Sequence, residues 1–442
     1  MVRYEKYKDS GIAWIGEIPK HWRIGRIKRL GRVLTGTTPS TSIEKYFDCE
    51  DISWYTPTDF SDENIYLNNS NRHLSQTVLD EKIVQLYPPK CVLLIGIGGT
   101  LGRIGYAVDR CYSNQQINAI VFNSGAIPLY YAYSLQPIKA YIWSNANTAT
   151  MPILNQSATK NLFVAIPPTT EQEQIAKYLD WKCGEVDRIV EVRERQIKLL
   201  GELRTSVISR AVTRGLNPNA PLKDSGIDWI GQIPEHWEIK KVKFTGKAII
   251  GLTYSPNDII DKGGSIVLRS TNIQNGVLDL SDKVRVNSSI SEKLKIRKGD
   301  VLLCSRNGSA SLVGKCAYIG DVLDGVTWGA FTTVLRSSMK KYLYYALNSD
   351  IMKFYLGMFS TSTINQLTTG TLNNMELLIP PATEQQQIAD YLDKKTAEID
   401  STINKFKVQI DKLKEYKQAL ITEVVTGKID VRGIEIPTPK NN

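Results

Sequence analysis

The sequence predicts an α+β protein built twice over, in which two similar mixed strand-and-loop domains alternate with two long helices carrying coiled-coil seams. Three observations predict it. A turn rich in Trp and His recurs in the second half of the chain, and a Pro-Pro helix start recurs at almost the same offset. Behind each Pro-Pro runs a long stretch with a selected residue every three or four positions, mostly apolar.

The turn opens each half. Asp9-Ser10-Gly11-Ile12, Trp14-Ile15-Gly16, Ile18-Pro19 and His21-Trp22 return as Asp224-Ser225-Gly226-Ile227, Trp229-Ile230-Gly231, Ile233-Pro234 and His236-Trp237. The offset is 215 residues from His21 to His236, and 213 from Pro167 to Pro380 at the helix starts. The chain of 442 residues is too long for one core and divides naturally at these markers. Residues 1–165 are expected to form a first domain, 166–214 a central helix, 215–378 a second domain, 379–428 a C-terminal helix and 429–442 a tail.

Within the domains, from about Lys20 to Ala165 and from Glu235 to Leu378, short β-branched and aromatic runs are punctuated by Gly, Asn, Ser and Pro. Val92-Leu93-Leu94-Ile95 and Val301-Leu302-Leu303-Cys304 are matching candidates for buried strands. Each runs into a Gly/Ser loop that carries an arginine, Arg103 or Arg306. Trp54 to Phe60 aligns with Val267 to Ile273 and shares a Thr-Asp or Thr-Asn pair, Thr58-Asp59 and Thr271-Asn272.

Ile166 to Ile175 and Ile379 to Ile388 are the helix starts. Thr170 with Glu173, and Thr383 with Gln386, have the spacing of a capping box. Behind them, positions 186, 190, 193, 197, 200, 204, 207 and 211, and 399, 403, 406, 410, 413, 417, 420 and 424, alternate steps of four and three, the period of a coiled-coil seam. The first helix, Glu171 to Thr213, would be about 65 Å long at ~1.5 Å per residue. Gly215 and Gly427 follow the two ends, as helix C-termini favour.

A hydrophobic fraction of 42% with 23% charged residues is ordinary for a soluble globular protein. The net charge of +10 and pI near 9.1 favour an anionic partner, nucleic acid ahead of membrane because no basic amphipathic helix stands out. No stretch reaches the roughly 18 apolar residues of a membrane span, and Met1 to Ser10 is polar rather than signal-like, so a cytoplasmic location is expected. The six cysteines, at 49, 91, 111, 183, 304 and 316, form no CxxC pair, and three histidines leave little material for zinc. Buried, reduced thiols are expected.

The search for chemistry is negative. In Gly96 to Gly102 a Leu stands at 101 where a dinucleotide fingerprint needs its third Gly, and Gly308 to Lys315 has one residue too many for a phosphate loop, followed by Cys316 where Ser or Thr should be. Tyr87-Pro88-Pro89-Lys90 lacks the Asn or Asp and the aromatic that flank Pro-Pro in an amino-methyltransferase. His21 and His236, each between Pro and Trp in a turn that recurs almost unchanged, read as scaffold; so do Trp14, Trp22, Trp229 and Trp237.

DNA contacts are the more productive reading. The guanidinium forks of Arg103 and Arg306, flanked by small residues, match guanine O6 and N7, and Gln115, Gln116 and Asn307 suit adenine. Thr37, Thr38, Thr58, Asp59 and Thr100 in the first domain, with Arg269, Thr271, Asn272 and Ser309 in the second, complete the candidate set. Loops that vary on a common scaffold are where two domains can read two different sequences.

With the duplicated Trp-Ile-Gly-x-Ile-Pro-x-His-Trp openings and the duplicated starts Ile166 to Asp180 and Ile379 to Asp393, the chain resembles the specificity subunit of type I restriction-modification enzymes over essentially its whole length. The resemblance implies two target-recognition domains alternating with two helices that pack antiparallel, giving a pseudo-two-fold molecule. Each domain would read half of a bipartite site in double-stranded DNA, with the helices fixing the spacer; centres one turn apart, roughly 34 Å, fit helices of this length. It also implies two methyltransferase subunits and restriction subunits as partners, with S-adenosylmethionine, ATP and magnesium carried by them, so that this chain is not itself an enzyme. Glu171, Gln174, Glu384 and Gln387, near-identical at the two helix starts, are the candidate docking residues. The competing readings are a self-contained methyltransferase or nuclease, and a coiled-coil scaffold that binds only proteins.

Overall fold

The computed structural model describes residues 2–47, 52–144, 153–274, 276–321, 324–359 and 366–437, so Cys49 and the end of the expected tail lie outside the described residues. The chain forms two compact units: residues 1–194 with 407–442, and residues 195–406. Each long helix is therefore shared between the units.

In the first unit, Tyr7–Asp9 pairs antiparallel with Glu17–Pro19, and Arg23–Arg26 pairs with Phe163–Ile166, tying the entry of the domain to its exit. Between them lies a five-stranded sheet in the order Gly31–Thr35, Ile117–Phe122, Cys91–Ile95, Ile104–Ala107, Tyr66–Leu67. A second sheet sets Ile52–Tyr55 between Tyr112–Ser113, which runs parallel to it, and His73–Leu74. Cys91–Ile95 is buried at every position, as its apolar run predicts for a central strand.

The second unit repeats the plan. Leu222–Asp224 pairs with Gln232–Pro234 and Glu238–Lys241 with Glu376–Ile379. One sheet runs Gly246–Ile250, Thr332–Ser337, Val301–Cys304, Cys316–Tyr318, and another pairs Ser265–Leu268 in parallel with Val326–Trp328. Tyr130 and Tyr342, on helices Pro128–Leu135 and Lys340–Leu347, donate to the carbonyls of Ala165 and Leu378 at 3.1 and 2.7 Å. Tyr133 and Tyr345, one turn on, reach Asp180 and Asp393 at 3.4 and 2.5 Å. Tyr130 and Tyr342 thus dock a short helix on the strand that leads into a long one, and Tyr133 and Tyr345 dock it on the long helix itself.

The central helix spans Thr169–Arg214 and the C-terminal helix Ala382–Val425. Each begins directly after its second proline, so Thr170 and Thr383 lie inside the first turn and cannot act as N-caps. The capping-box spacing is therefore not the device that starts these helices. Proline suits the approach because it has no N–H to leave unpaired. Gln172 and Gln385 then turn back to donate to the carbonyls of Pro167 and Pro380 at 2.9 and 2.8 Å.

The seam positions are covered. Val186, Ala211, Ile399, Ile410, Lys417, Leu420 and Val424 are buried and the remaining members of both series are half-buried. Asp187 accepts from Lys417 at 2.6 and 2.7 Å in the first unit, and Arg204 donates to Asp400 at 3.0 Å in the second. With Gln174 on the carbonyls of Val431 and Ile434, and Gly215 beside the Glu384 carboxylate, the two helical segments run antiparallel within each unit. Among the described residues, no helix is long and apolar enough to cross a membrane. Cys91, Cys111, Cys183, Cys304 and Cys316 are buried free thiols.

Candidate nucleic-acid interface

Three backbone segments of the first unit converge: the turn that follows strand Ile52–Tyr55, the glycine loop that follows Cys91–Ile95, and the short run Asn114-Gln115-Gln116 that precedes Ile117–Phe122. Hydrogen bonds between main chains hold them. Asn114 N–H donates to Tyr55 (3.0 Å), Gly96 N–H to Gln116 (2.8 Å), and Thr37 N–H to Ser113 (2.9 Å). Gly36 is required where its strand meets this knot, because a Cβ there would lie 2.1 Å from the Asn114 carbonyl oxygen. The segments border a cleft of about 390 Å³ lined by Thr58, Arg72, Gly98, Thr100, Asn114 and Gln116, among others.

The second unit ties the same knot with other side chains. Gly329 N–H donates to Leu268 (2.9 Å), Ser305 N–H to Phe331 (3.1 Å) and Leu252 N–H to Trp328 (2.7 Å), and Gly251 is held as closely as Gly36, a Cβ there lying 2.2 Å from the Trp328 carbonyl. These bonds equate Thr58 with Thr271, Gly98 with Asn307, Thr100 with Ser309 and Gln116 with Phe331. They also correct the pairing of the two arginine loops. Arg103 accepts through its carbonyl from Ile95 N–H, as Lys315 does from Cys304 N–H, whereas Arg306 occupies the place of Ile97.

The structure thus gathers Thr37, Thr38, Thr58, Thr100, Gln115 and Gln116 around one cleft or its rim; Thr38 donates to the Gln115 side chain. Gln116 is oriented by Asn114, whose amide donates to its side-chain oxygen at 3.0 Å. Arg306, Asn307 and Ser309 sit together in the second unit, with Asn307 donating to Ser270 at 3.1 Å and accepting from Ser309 N–H at 3.0 Å.

Other candidates are committed elsewhere. Asp59 closes its turn, accepting from Thr56 N–H (2.7 Å) and from Asn71 N–H and amide (both 2.8 Å). Asn272 does the same for Arg269 N–H (2.8 Å) and, fully buried, donates to the carbonyls of Asp279 and Asp282. The shared Thr-Asp or Thr-Asn pair is therefore half scaffold, and neither Asp59 nor Asn272 is placed to read a base. Arg103 is bound to Asp62 at 2.6 Å rather than facing the cleft, and Lys139 reaches the same carboxylate at 2.5 Å. Burial would raise the Asp62 pKa, but the hydrogen bonds from Arg103 and Lys139 outweigh it and hold the carboxyl below its ordinary value. Arg269 pairs with Asp282 at 2.5 Å, with Thr271 alongside at 3.3 Å.

Sequence reasoning missed Arg72, Asn114 and Phe331. Arg72 precedes the short strand His73–Leu74 and belongs to no local motif, so only the sheet pairing brings it to the cleft. Phe331 carried a signal: the offset of 215 that relates His21 to His236 also carries Gln116 onto it.

The helix starts also revise the docking candidates. Glu171 is buried and accepts from Trp22 Nε1 (2.8 Å) and Tyr4 OH (3.2 Å), with His21 Nε2 at 2.7 Å. Glu384 holds His236 (2.7 Å) and Trp237 (3.0 Å) in the same way. Both carboxylates lock the His-Trp turn onto a helix N-terminus, where the dipole favours negative charge. Gln174 is spent on the carbonyls of Val431 and Ile434, and Gln387 alone of the four is exposed.

The model of the type I restriction modification DNA specificity domain matches this chain twice, over residues 19–197 and 234–412. The chain belongs to that specificity family. Its two matches begin 215 residues apart, the same offset as the His-Trp turns, and each runs from the turn through a recognition domain into a long helix. This specificity chain is 25% identical over 443 residues to the type I restriction enzyme MjaIX specificity subunit of Methanocaldococcus jannaschii, covering 98% of this chain and 99% of that one. It is 31% identical over 207 residues to the EcoKI specificity subunit of Escherichia coli K12, covering 45% and 44% of the two chains. A chain from a solved structure on complex assembly and conformational transition of a type I restriction-modification system has the same fold, with a TM-score of 0.69 at 16% identity, covering 93% of this chain and 99% of that one.

Proposed function

We propose that this chain is the DNA-reading subunit of a type I restriction-modification complex, each domain reading one half of a bipartite duplex site. The observation that carries this is the duplicated backbone knot. One backbone knot, fixed by the same main-chain hydrogen bonds and the same pair of constrained glycines, presents different side chains in the two domains. A rigid frame with exchanged side chains reads different bases without refolding. The net charge of +10 supplies the sequence-independent attraction to phosphates.

Within this reading the chain positions DNA and performs no chemistry of its own. Two methyltransferase subunits dock on it, restriction subunits join them, and S-adenosylmethionine, ATP and magnesium belong to those partners in the cytoplasm. The long helices set the unread spacer. No observation favours the protein-only scaffold, which would leave the paired knots and their differing side chains without a role. Mapping DNA methylation in a strain with and without this chain tests the proposal. Loss of one bipartite motif on deletion is expected, and an unchanged methylation map would refute it.

A further inference from the structure

We infer that Arg306 and Phe331 form the base-reading tip of the second domain, Arg306 donating to O6 and N7 of a guanine and Phe331 packing on the 5-methyl group of a neighbouring thymine. The inference rests on the reading of the chain as the DNA-reading subunit, and it assigns base classes to one half-site.

Phe331 is 62% exposed, an unusual position for a phenyl ring in water. Its backbone is nevertheless firmly held: its carbonyl oxygen accepts from Ser305 N–H (3.1 Å), Arg306 N–H (3.0 Å) and the Ser305 hydroxyl (3.1 Å). The Arg306 guanidinium lies over the ring, 5.4 Å from its centroid, so the two side chains project from the knot together. Arg306 itself is exposed. Phe244 is also exposed, at 71%, but it precedes Gly246, whose partner Ser337 is at the opposite end of the ladder from Phe331. Of these two exposed phenylalanines, Phe331 is the one that belongs to the knot.

The chemistry of the pair is specific. A guanidinium fork finds two adjacent acceptors on guanine in the major groove, and a phenyl edge finds its best apolar contact there in the thymine methyl. The first domain has Ile97 and Gln116 at these two places, with the Gln116 side-chain oxygen already engaged by Asn114. At these two positions it presents an apolar side chain and amide donors in place of a guanidinium and a phenyl ring, so the two domains offer different contacts here.

The test is genome-wide methylation mapping in strains carrying the full chain as wild type, Arg306→Ala, Phe331→Ala or Gln116→Ala. Arg306→Ala should make one guanine of the second half-site degenerate, with selectivity falling by about tenfold or more. Phe331→Ala should relax an adjacent thymine by several-fold, and Gln116→Ala should alter the other half alone. A second half-site unchanged by Arg306→Ala and Phe331→Ala, or changes confined to the first half, overturns the assignment. Where a variant abolishes methylation, Arg306→Gln and Phe331→Leu in the assembled complex are offered a random-sequence DNA duplex pool. Binding that loses the guanine with Gln and keeps the thymine with Leu supports the pair; wild-type selection by both, or binding by neither, overturns it. If deleting the chain leaves methylation intact, the subunit reading itself fails, a result separate from any of these.

Discussion

Glu171 shows how one carboxylate can serve a whole domain. Buried at a helix start, it is the common acceptor for Trp22, Tyr4 and His21. Burial, reinforced by the Glu171 charge, pushes the Tyr4 hydroxyl well above its ordinary range, so it stays protonated as a donor. Glu171→Ala would leave the buried Trp22 Nε1 unpaired and should cost about 1–3 kcal/mol in urea unfolding; an unchanged midpoint would contradict this role. Asp62 makes a pH-dependent contribution. Its folded pKa lies below the ordinary value, so its pairing with Arg103 and Lys139 is fully present above the ordinary carboxylate range and fades as pH falls through the folded value. With the carboxylate about half exposed, the effect should be at most ~1 kcal/mol. The gap between the unfolding midpoints of Asp62→Asn and wild type should be widest at pH 7 and narrow as pH is lowered below the ordinary carboxylate range; a gap that does not narrow would count against it. At this scale the sequence disclosed roles unevenly. Recurrence correctly marked His21 and Trp22 as scaffold, because both halves keep them. It could not separate Thr58, which lines the cleft, from Asp59, which closes the turn, because a polar pair next to a strand end serves either purpose.

Each long helix was legible from its period, since a seam that must stay covered over many turns repeats strictly. The same periodicity placed Lys417 and Arg204 inside the seam, and the structure supplies their partners, Asp187 and Asp400. Asp187 relates to Asp400, and Arg204 to Lys417, by the 213-residue offset of the helix starts, so the duplication preserves the ion pair. We expect the pair to set register more than stability. Asp187→Leu alone, removing the carboxylate that faces the buried Lys417 ammonium, should destabilise by about 1–3 kcal/mol, whereas Asp187→Leu with Lys417→Leu should recover most of the loss. A double mutant no better than the single would refute the coupling. The helix starts were less legible, because Thr-x-x-Glu mimics a capping box while the prolines and Gln172 do the work. If the helices are the ruler, one heptad added to both, between 187 and 204 and between 400 and 417, should lengthen the unread spacer and leave both half-sites intact. Methylation at the original spacing would contradict the ruler.

Across the whole molecule, the duplication could be read directly from the paired motifs, and with it the two-domain, two-helix plan. The cleft of the first unit and the equivalent knot of the second could not, because they are assembled from segments far apart in the chain. Arg72 reaches Asn114 and Gly98 only through strand pairing, and the equivalence of Arg306 with Ile97 rather than Arg103 emerges only from hydrogen-bond register. That frame also defines where a domain can be exchanged. Ile27 N–H bonds Leu162 at 3.0 Å next to the paired strands Arg23–Arg26 and Phe163–Ile166, so residues 28–161 can be replaced while the frame is kept. Replacing that segment with the corresponding one from another specificity subunit, and sequencing the methylated motif of the resulting strain, tests the central claim most directly. One half of the bipartite motif should change to that of the donor while the other half keeps its wild-type sequence. A motif altered in both halves, or in neither, would contradict the account.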